Sequence, residues 1–246
     1  MKHSAASIWD DRDLVIFDLD GTLYDQTRLR ARMILSLLSD AMRTRSLRNL
    51  KVIQNFRFCR EMLARASPDD FMERQFTETA ALSRCSKEKV KEIVSEWIDR
   101  RPLPYLAACR YQGIEALFEG LRQSGRVIAV LSDYPAREKL AALFLEADVV
   151  VSATDDDVQR LKPNPIGLIK ILRTTGIPAE RALMVGDRFD RDWAVAHCVG
   201  VESLIRCYHA DSRCTTFRTY RDALFAPVLR SRPAAETPAP RRRHGV

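Results

Sequence analysis

Three features are missing from the 246-residue sequence, and each absence excludes a class of protein. No stretch approaches the roughly 20 apolar residues that a membrane-spanning helix needs, so we expect no membrane span. Residues 1–13 lack the apolar run of a secretory signal peptide, and the six cysteines show no CxxC spacing. We therefore expect reduced thiols in a soluble cytoplasmic protein, which at this length can bury a sizeable core.

Positive charge is concentrated in two parts of the chain. Residues 27–115 hold 18 Lys and Arg against 11 Asp and Glu, and residues 230–246 hold five against one. An anionic ligand near the first segment, or general attraction to polyanions, would explain this distribution; a solvated helical surface explains it equally well. No nucleic-acid-binding motif accompanies these residues, so we expect no specific nucleic-acid partner.

The strongest signal lies at residues 14–25. Leu14–Phe17 is an apolar run with two β-branched residues, which is typical of a buried strand. Asp18 and Asp20 follow it, and Gly21 then lets the chain turn away. Because open α/β folds bind ligands at the carboxyl ends of their strands, we expect both acids at a binding edge. The alternative is an ordinary acidic turn, since Asp-Gly pairs are common in turns.

Residues 26–101 have helical patterns and no strand pattern. Ile34, Leu38 and Met42 recur every four positions, which predicts a helix. Ser67, before a proline and two acids, predicts the start of another helix. Pro102 and Pro104 are expected to close this helical region.

From residue 126 onward, apolar runs alternate with helical patterns. Strands are expected over residues 127–131, 149–151, 182–185 and 201–206, with helices over 114–123, 136–145, 166–174, 190–198 and 213–229. This alternation predicts an α/β fold, a doubly wound parallel sheet that also contains the first strand. We predict a core of residues 1–25 and 116–229, an all-helical insertion over 26–115, and a disordered basic tail over 230–246.

Polar residues follow the later strands as well. They are Ser132-Asp133, Lys162-Pro163 and the acid-rich stretch Asp187–Asp192. With Asp18–Thr22, these segments resemble, in order, the four motifs of the haloacid dehalogenase superfamily of phosphohydrolases. The resemblance covers about residues 13–210, and the helical insertion lies where that family places its C1-type cap. It implies a Rossmann-like core with a mobile helical cap that closes over the substrate.

The resemblance also implies a mechanism. Asp18 would attack phosphorus to form an aspartyl-phosphate, and Asp20 would protonate the leaving alcohol and then activate water. Mg²⁺ would be held by the Asp18 carboxylate, the Asp20 backbone carbonyl and Asp187. The acid at Asp20 favours phosphoryl transfer over halide displacement, which needs no proton donor.

The remaining motif residues are assigned supporting roles by the same resemblance. Lys162 would neutralise developing charge and keep the region of Asp18 ionised. The residues expected to bind the phosphate are Thr22, Ser132, Asp133 and Lys162. Asp192 or Asp190 would orient Lys162 or metal-bound water. The family spacing favours Asp192, and Asp190 could instead be an acid that starts a helix.

Together these features predict a Mg²⁺-dependent phosphomonoester hydrolase of the phosphoglycolate-phosphatase type, acting on a small phosphorylated metabolite. A phosphomutase or phosphotransferase of the same superfamily is one alternative, and a non-catalytic binding or scaffold protein is another. Five further residues could be imagined as a zinc cluster, but their spacing matches no common finger, and packing roles are preferred. They are His197, Cys198, Cys207, His209 and Cys214. The oligomeric state is not predicted.

Overall fold

The strands have the near-continuous apolar composition expected of a parallel sheet buried on both faces. The computed structural model describes residues 8–229. Its strands are β1 (Leu14–Phe17), β2 (Val127–Ser132), β3 (Val149–Ser152), β4 (Ala182–Gly186), β5 (Glu202–Arg206) and β6 (Thr215–Phe217). In this part of the chain they form a six-stranded parallel sheet of order β3-β2-β1-β4-β5-β6. The predicted Rossmann-like α/β fold is confirmed.

The segment between β1 and β2 is helical. Its first helices are α1 (Gln26–Thr44), α2 (Arg48–Ala66), α3 (Phe71–Ser83), α4 (Lys87–Val94) and α5 (Leu103–Cys109), with a π-helical stretch, Ser95–Arg100, after α4. We call α1–α5 the cap. The Asp25 side chain accepts a hydrogen bond from the Arg28 N–H at 2.9 Å, which fixes the start of α1. The predicted domain boundaries at residues 26 and 115 stay a prediction.

Helices of the remaining chain cover both faces of the sheet. They are α6 (Ile114–Gln123), α7 (Arg137–Ala142), α8 (Ile166–Thr175), α9 (Ala194–Val199) and α10 (Ala226–Leu229). Two 3₁₀ turns, Ala179–Arg181 and Ala223–Phe225, and a π-helical turn, Phe189–Trp193, complete the set. Val15 and Phe17 belong to the core cluster of α6 and α7, whereas Leu14 and Ile16 belong to that of α8 and α9. The alternation along β1 therefore gives each face its own core.

The strand register brings the motif residues to one edge. Phe17 pairs with Val130 of β2 and with Val185 of β4, so these strands run level. Asp18 and Asp187 follow β1 and β4 directly. Because the strands are parallel, both acids lie at the carboxyl edge of the sheet.

The helix predicted over residues 213–229 is wrong for most of its length. Thr215–Phe217 forms β6 beside β5, and helical turns begin only at Ala223. Two β-branched threonines suit a strand, and Phe217 is buried against the rings of Tyr220 and Phe225. The strand predicted over 201–206 forms as Glu202–Arg206 and is followed by one more strand, β6, which was not predicted. The predicted tail, residues 230–246, lies outside the described residues.

Helix α1 forms as predicted but buries a different face. Ile34, Leu38 and Met42 are 46%, 42% and 76% exposed, whereas Leu29 and Met33 are buried. The four-residue spacing therefore marked an exposed apolar stripe rather than the contact face. In the described part of the chain, no helix combines the length and apolar character of a membrane span.

Contrary to the prediction, Ser67 does not start a helix, and Pro102 and Pro104 do not end the helical segment. Ser67 ends α2 with a left-handed φ of 48°, and α3 begins only at Phe71. The prolines do not close the helical segment, because α5 starts at Leu103, between Pro102 and Pro104. A proline at a helix start sacrifices no intrahelical hydrogen bond, so both residues are compatible with α5.

Candidate active site

Asp18 is buried at the end of β1 and fixed by two hydrogen bonds. Its Oδ1 accepts from Lys162 Nζ at 2.5 Å, and its Oδ2 accepts from Thr22 Oγ1 at 2.8 Å. Burial raises the pKa of Asp18 well above its usual range, although the nearby Lys162 ammonium opposes this rise. The carboxylate is thus held in one orientation in a place where charge is costly.

Lys162 uses all of its donors inside the protein. Its ammonium donates to Asp18 Oδ1, to Asp192 Oδ1 at 2.7 Å and to the Leu131 carbonyl at 3.3 Å. Burial works to lower the pKa of Lys162, but Asp18 and Asp192 together raise it above its ordinary value. The lysine is therefore a fixed positive charge between two carboxylates.

Asp187 completes an acidic cluster. One oxygen from each of Asp18, Asp187 and Asp192 lies within 4.8 Å of the others. Asp187 Oδ1 is buried and has no hydrogen-bond partner among residues 8–229. Burial, and then the neighbouring Asp192, raise the pKa of Asp187 to about 7. An unpartnered oxygen beside further carboxylates is the donor set that a hard divalent cation prefers, so these residues fit such an ion.

Two glycines allow these acids to approach the backbone. A Cβ on Gly21, whose φ is +100°, would clash with the Asp187 carboxylate. A Cβ on Gly186 would clash with the Asp192 side chain. Each glycine therefore provides space that another residue would fill.

The structure distinguishes Asp192 from Asp190, the two acids between which the sequence did not decide. Asp192 is buried; besides Lys162, it accepts hydrogen bonds from the backbone N–H groups of Asp187 at 3.1 Å and Arg188 at 3.0 Å. Asp190 is exposed and pairs with the Arg188 guanidinium at 2.7 Å. The structure thus brings Asp192, and not Asp190, to Lys162, while their roles in a reaction stay predictions.

Asp20 has two partners that sequence reasoning missed. Lys139 Nζ donates to its carboxylate oxygens at 2.7 and 3.0 Å, and the Tyr24 hydroxyl donates to Oδ1. Burial opposes ionisation, but Lys139 and then Tyr24 hold the pKa of Asp20 below its ordinary value. Lys139 lies on α7 outside any motif, so no local pattern identified it.

The predicted phosphate-binding residues lie at this edge with different contacts. Ser132 is buried, and its Oγ accepts from the Tyr134 N–H at 3.1 Å. The Asp133 carboxylate accepts from the Lys162 N–H at 2.9 Å and from Arg191 at 3.3 Å. Since a carboxylate repels phosphate, the role predicted for Asp133 can come only from its backbone.

The cap contributes cations to the cavity beside the acids. The cavity around Asp18 and Asp20 is also lined by Arg30 and Arg57 of the cap. Both arginines line an adjoining, more apolar cavity that includes Met33. The Arg57 side chain forms no hydrogen bond or ion pair with any other described residue, and burial lowers its pKa. Its position was not predicted, because one arginine in a basic segment carries no distinguishing signal.

Comparison with known proteins identifies relatives of this chain. A model of the haloacid dehalogenase-like hydrolases matches residues 12–200. A phosphoglycolate phosphatase of Rhodospirillum rubrum is 33% identical over 110 residues, 44% of this chain and 45% of that protein, so the match spans less than half of that relative. A phosphoglycolate phosphatase of Xanthomonas campestris pv. campestris is 27% identical over 197 residues, 77% of this chain and 80% of that protein.

Solved structures share the fold. A HAD phosphatase from Thermococcus onnurineus superposes with a TM-score of 0.61 at 21% identity, covering 90% of this chain and 100% of that one. A 2-haloacid dehalogenase from Pseudomonas syringae pv. Tomato DC3000 also gives 0.61, at 18% identity, covering 89% and 98%. The family model spans well over half of the chain, which confirms the resemblance seen in the motifs. The chain therefore belongs to the family of haloacid dehalogenase-like hydrolases.

Proposed function

We propose that the protein is a Mg²⁺-dependent phosphomonoester hydrolase that forms an aspartyl-phosphate on Asp18. The proposal depends above all on one arrangement: Lys162 contacts Asp18 at 2.5 Å, while the unpartnered oxygen of Asp187 lies in the same acidic cluster. A nucleophile, a fixed cation and an incomplete set of oxygen ligands are what phosphoryl transfer requires. The names of the two bacterial relatives support phosphatase activity.

Asp18 is the nucleophile in this proposal. A carboxylate oxygen forms a bond to phosphorus as the bond between phosphorus and the alcohol oxygen breaks. Thr22 and Lys162 hold the carboxylate in one orientation, which reduces the entropy lost on reaching the reactive geometry. Lys162 also offsets negative charge as it develops on the phosphoryl group.

Asp20 moves the protons. Because Lys139 and Tyr24 keep Asp20 ionised, Asp20 first takes the acidic proton of the bound phosphate monoanion and passes it to the departing alkoxide. It then takes a proton from the water whose oxygen attacks phosphorus and releases Asp18. Tyr24 and Lys139 orient its carboxylate through direct hydrogen bonds. Asp20 also lines the cavity that contains the cap arginines, which supports contact with a substrate bound there.

Asp18, Asp187 and the backbone carbonyl of Asp20 would hold Mg²⁺. The ion supplies positive charge that offsets the repulsion between carboxylate and phosphate. Ser132, Thr22 and the backbone beside Asp133 would bind phosphoryl oxygens. Asp192 orients Lys162 through the contact at 2.7 Å.

The cap arginines support a substrate with a second negative group. Arg57 has no anionic partner among the residues that the structure describes, and it lines the same cavity as Asp20. Water and salt screen the charge of an exposed surface arginine, whereas a half-buried arginine gains free energy by binding an anion. Phosphoglycolate, a phosphomonoester that carries a carboxylate, is therefore the first substrate to test.

The experiment measures phosphate release from p-nitrophenyl phosphate and phosphoglycolate, with and without Mg²⁺. Release should require Mg²⁺ and should fall by at least about 10³-fold in Asp18→Asn, because the amide is a poor nucleophile. Asp190→Asn, in the motif Asp187–Asp192 but away from Lys162, is the control for loss of an acidic charge and should keep most of the activity. Full activity in Asp18→Asn would refute the assignment of Asp18 as the nucleophile. In a separate incubation with a sugar phosphate, formation of an isomeric sugar phosphate without free phosphate would indicate a phosphomutase.

A further inference from the structure

The backbone of Lys162 is held from both sides. Its N–H donates to Asp133 Oδ1 at 2.9 Å, and its carbonyl accepts from Arg191 Nη1 at 2.7 Å. The same Arg191 nitrogen lies 3.3 Å from Asp133 Oδ2, which closes a ring of three residues. The peptide of the lysine that contacts Asp18 is therefore fixed by two side chains that make no contact with Asp18 themselves.

Arg191 and Asp192 are adjacent on the π-helical turn Phe189–Trp193. Arg191 contacts the Lys162 carbonyl, while Asp192 contacts the Lys162 ammonium at 2.7 Å. Single π-helical turns occur often at functional sites. This turn therefore fixes both the backbone carbonyl and the side-chain ammonium of Lys162.

The cap reaches this arrangement through consecutive residues of α2. Glu61 Oε2 accepts from Arg191 Nη2 at 2.9 Å, and the same carboxylate forms a bidentate pair with Arg188 at 2.8 and 3.0 Å. Arg60 donates to the Asp133 carbonyl, and its guanidinium lies 3.9 Å from the ring centre of Tyr134. Cap docking therefore acts on both residues that fix the Lys162 backbone.

We propose that Arg191 is a positioning residue that couples docking of the cap, through Glu61, to the placement of Lys162 against Asp18. The catalytic consequence depends on the proposed phosphatase function, but the coupling itself does not. The Arg191 side chain is 5% exposed and lies 2.9 Å from Glu61, 3.3 Å from Asp133 and 3.8 Å from the exposed Asp190. When the cap undocks and Glu61 moves away, the buried guanidinium loses the nearest of its three carboxylates and should shift toward the remaining two, which weakens its hydrogen bond to the Lys162 carbonyl.

A second cap–core ion pair supplies the matched control. Asp69, which precedes α3 in the cap, pairs with Arg160 of the core. The Asp69 side chain is 91% exposed, and neither residue forms a hydrogen bond or ion pair with Arg191, Asp133 or the Lys162 side chain. Glu61→Gln and Asp69→Asn therefore each remove one negative charge between cap and core, and only the first acts on the coupled residues.

The direct test measures hydrogen exchange of the Lys162 amide. The chain has eight lysines, so a protein labelled with ¹⁵N-lysine gives a simple spectrum, in which Lys162→Arg identifies the signal. We expect exchange to rise about tenfold in Arg191→Gln and about threefold or more in Glu61→Gln, because the hydrogen bond to Asp133 is loosened. Asp69→Asn should leave this amide unchanged. Equal rates in the wild type and Glu61→Gln, or equal rises in Glu61→Gln and Asp69→Asn, would overturn the coupling.

Steady-state kinetics test the consequence for the reaction. Glu61→Gln should lower kcat about tenfold, whereas Asp69→Asn should change kcat by less than about twofold. Arg191→Lys keeps the charge and one of the hydrogen bonds, so it should recover part of the kcat lost in Arg191→Gln. Equal kcat values for Glu61→Gln and Asp69→Asn would refute a positioning role. If the wild type releases no phosphate, the proposed function fails, and the exchange rates still decide the coupling.

Discussion

Asp187→Asn should stabilise the metal-free protein, although it removes a residue of the proposed active site. Asp187 Oδ1 is buried without a partner among the described residues, and two further carboxylates lie close by. An asparagine has nearly the same shape but no charge. The substitution therefore removes repulsion within the cluster without leaving a cavity.

The size of the effect follows from the pKa of Asp187, which burial and Asp192 raise to about 7 from an ordinary value of 3.8. Such a rise corresponds to at most about 4 kcal/mol of unfolding free energy, and solvent screening of a partly exposed group reduces this to about 1 to 3 kcal/mol. The folded state holds this proton more tightly than the unfolded chain. The stability of the wild type should therefore fall as the pH rises from about 4 to about 7, and the variant should lack this component.

Urea unfolding in the presence of a chelator measures the difference. At about pH 8 the variant should be more stable than the wild type by about 1 to 3 kcal/mol, and at about pH 4.5 the two should be nearly equal. Mg²⁺ should raise the urea midpoint of the wild type at the higher pH and have little effect on the variant. A variant that is less stable than the wild type at both pH values would contradict the proposed repulsion in the acidic cluster.

Three further substitutions test separate parts of the site. Gly186→Ala should lower the unfolding free energy by about 1 to 3 kcal/mol and abolish phosphate release, because a Cβ would clash with Asp192; wild-type urea midpoints and rates would contradict this. Arg57→Met should raise KM for phosphoglycolate more than about tenfold and change KM for p-nitrophenyl phosphate less than about twofold, whereas equal changes would exclude a second anionic contact. Tyr220→Phe should cost about 1 kcal/mol in thermal unfolding, since its hydroxyl bond to the Thr22 carbonyl at 2.8 Å is lost.

The sheet and its acidic edge could be predicted because each depends on local sequence. Buried parallel strands are short apolar runs, and motif acids follow them directly, as Asp18 and Asp187 do. β6 was missed because Thr215–Phe217 is a three-residue strand without such a run. The exposed stripe at Ile34 shows a second limit, because periodicity identifies a helix without showing which apolar face a neighbouring helix will cover.

The contacts around the motif residues could not be predicted, because they join distant parts of the chain. Lys139 lies 119 residues from Asp20, and Arg191 lies 130 residues from Glu61. Each is an ordinary charged residue on a helical segment and has no distinguishing spacing. Only the fold, which aligns β1, β2 and β4, brings these side chains together.

The division of charge between the sheet edge and the cap suggests why an anionic substrate should favour cap docking. At the sheet edge, Asp18 and Asp192 share the ammonium of Lys162, and Asp187 Oδ1 has no hydrogen-bond partner among residues 8–229. Arg57 faces the same cavity from the cap without an anionic partner among residues 8–229. A divalent cation held by the acids would reverse the sign of the charge that a phosphate meets there. A ligand with two negative groups could then contact the cation and Arg57 at once, so ligand binding and cap docking should each strengthen the other by the same free energy.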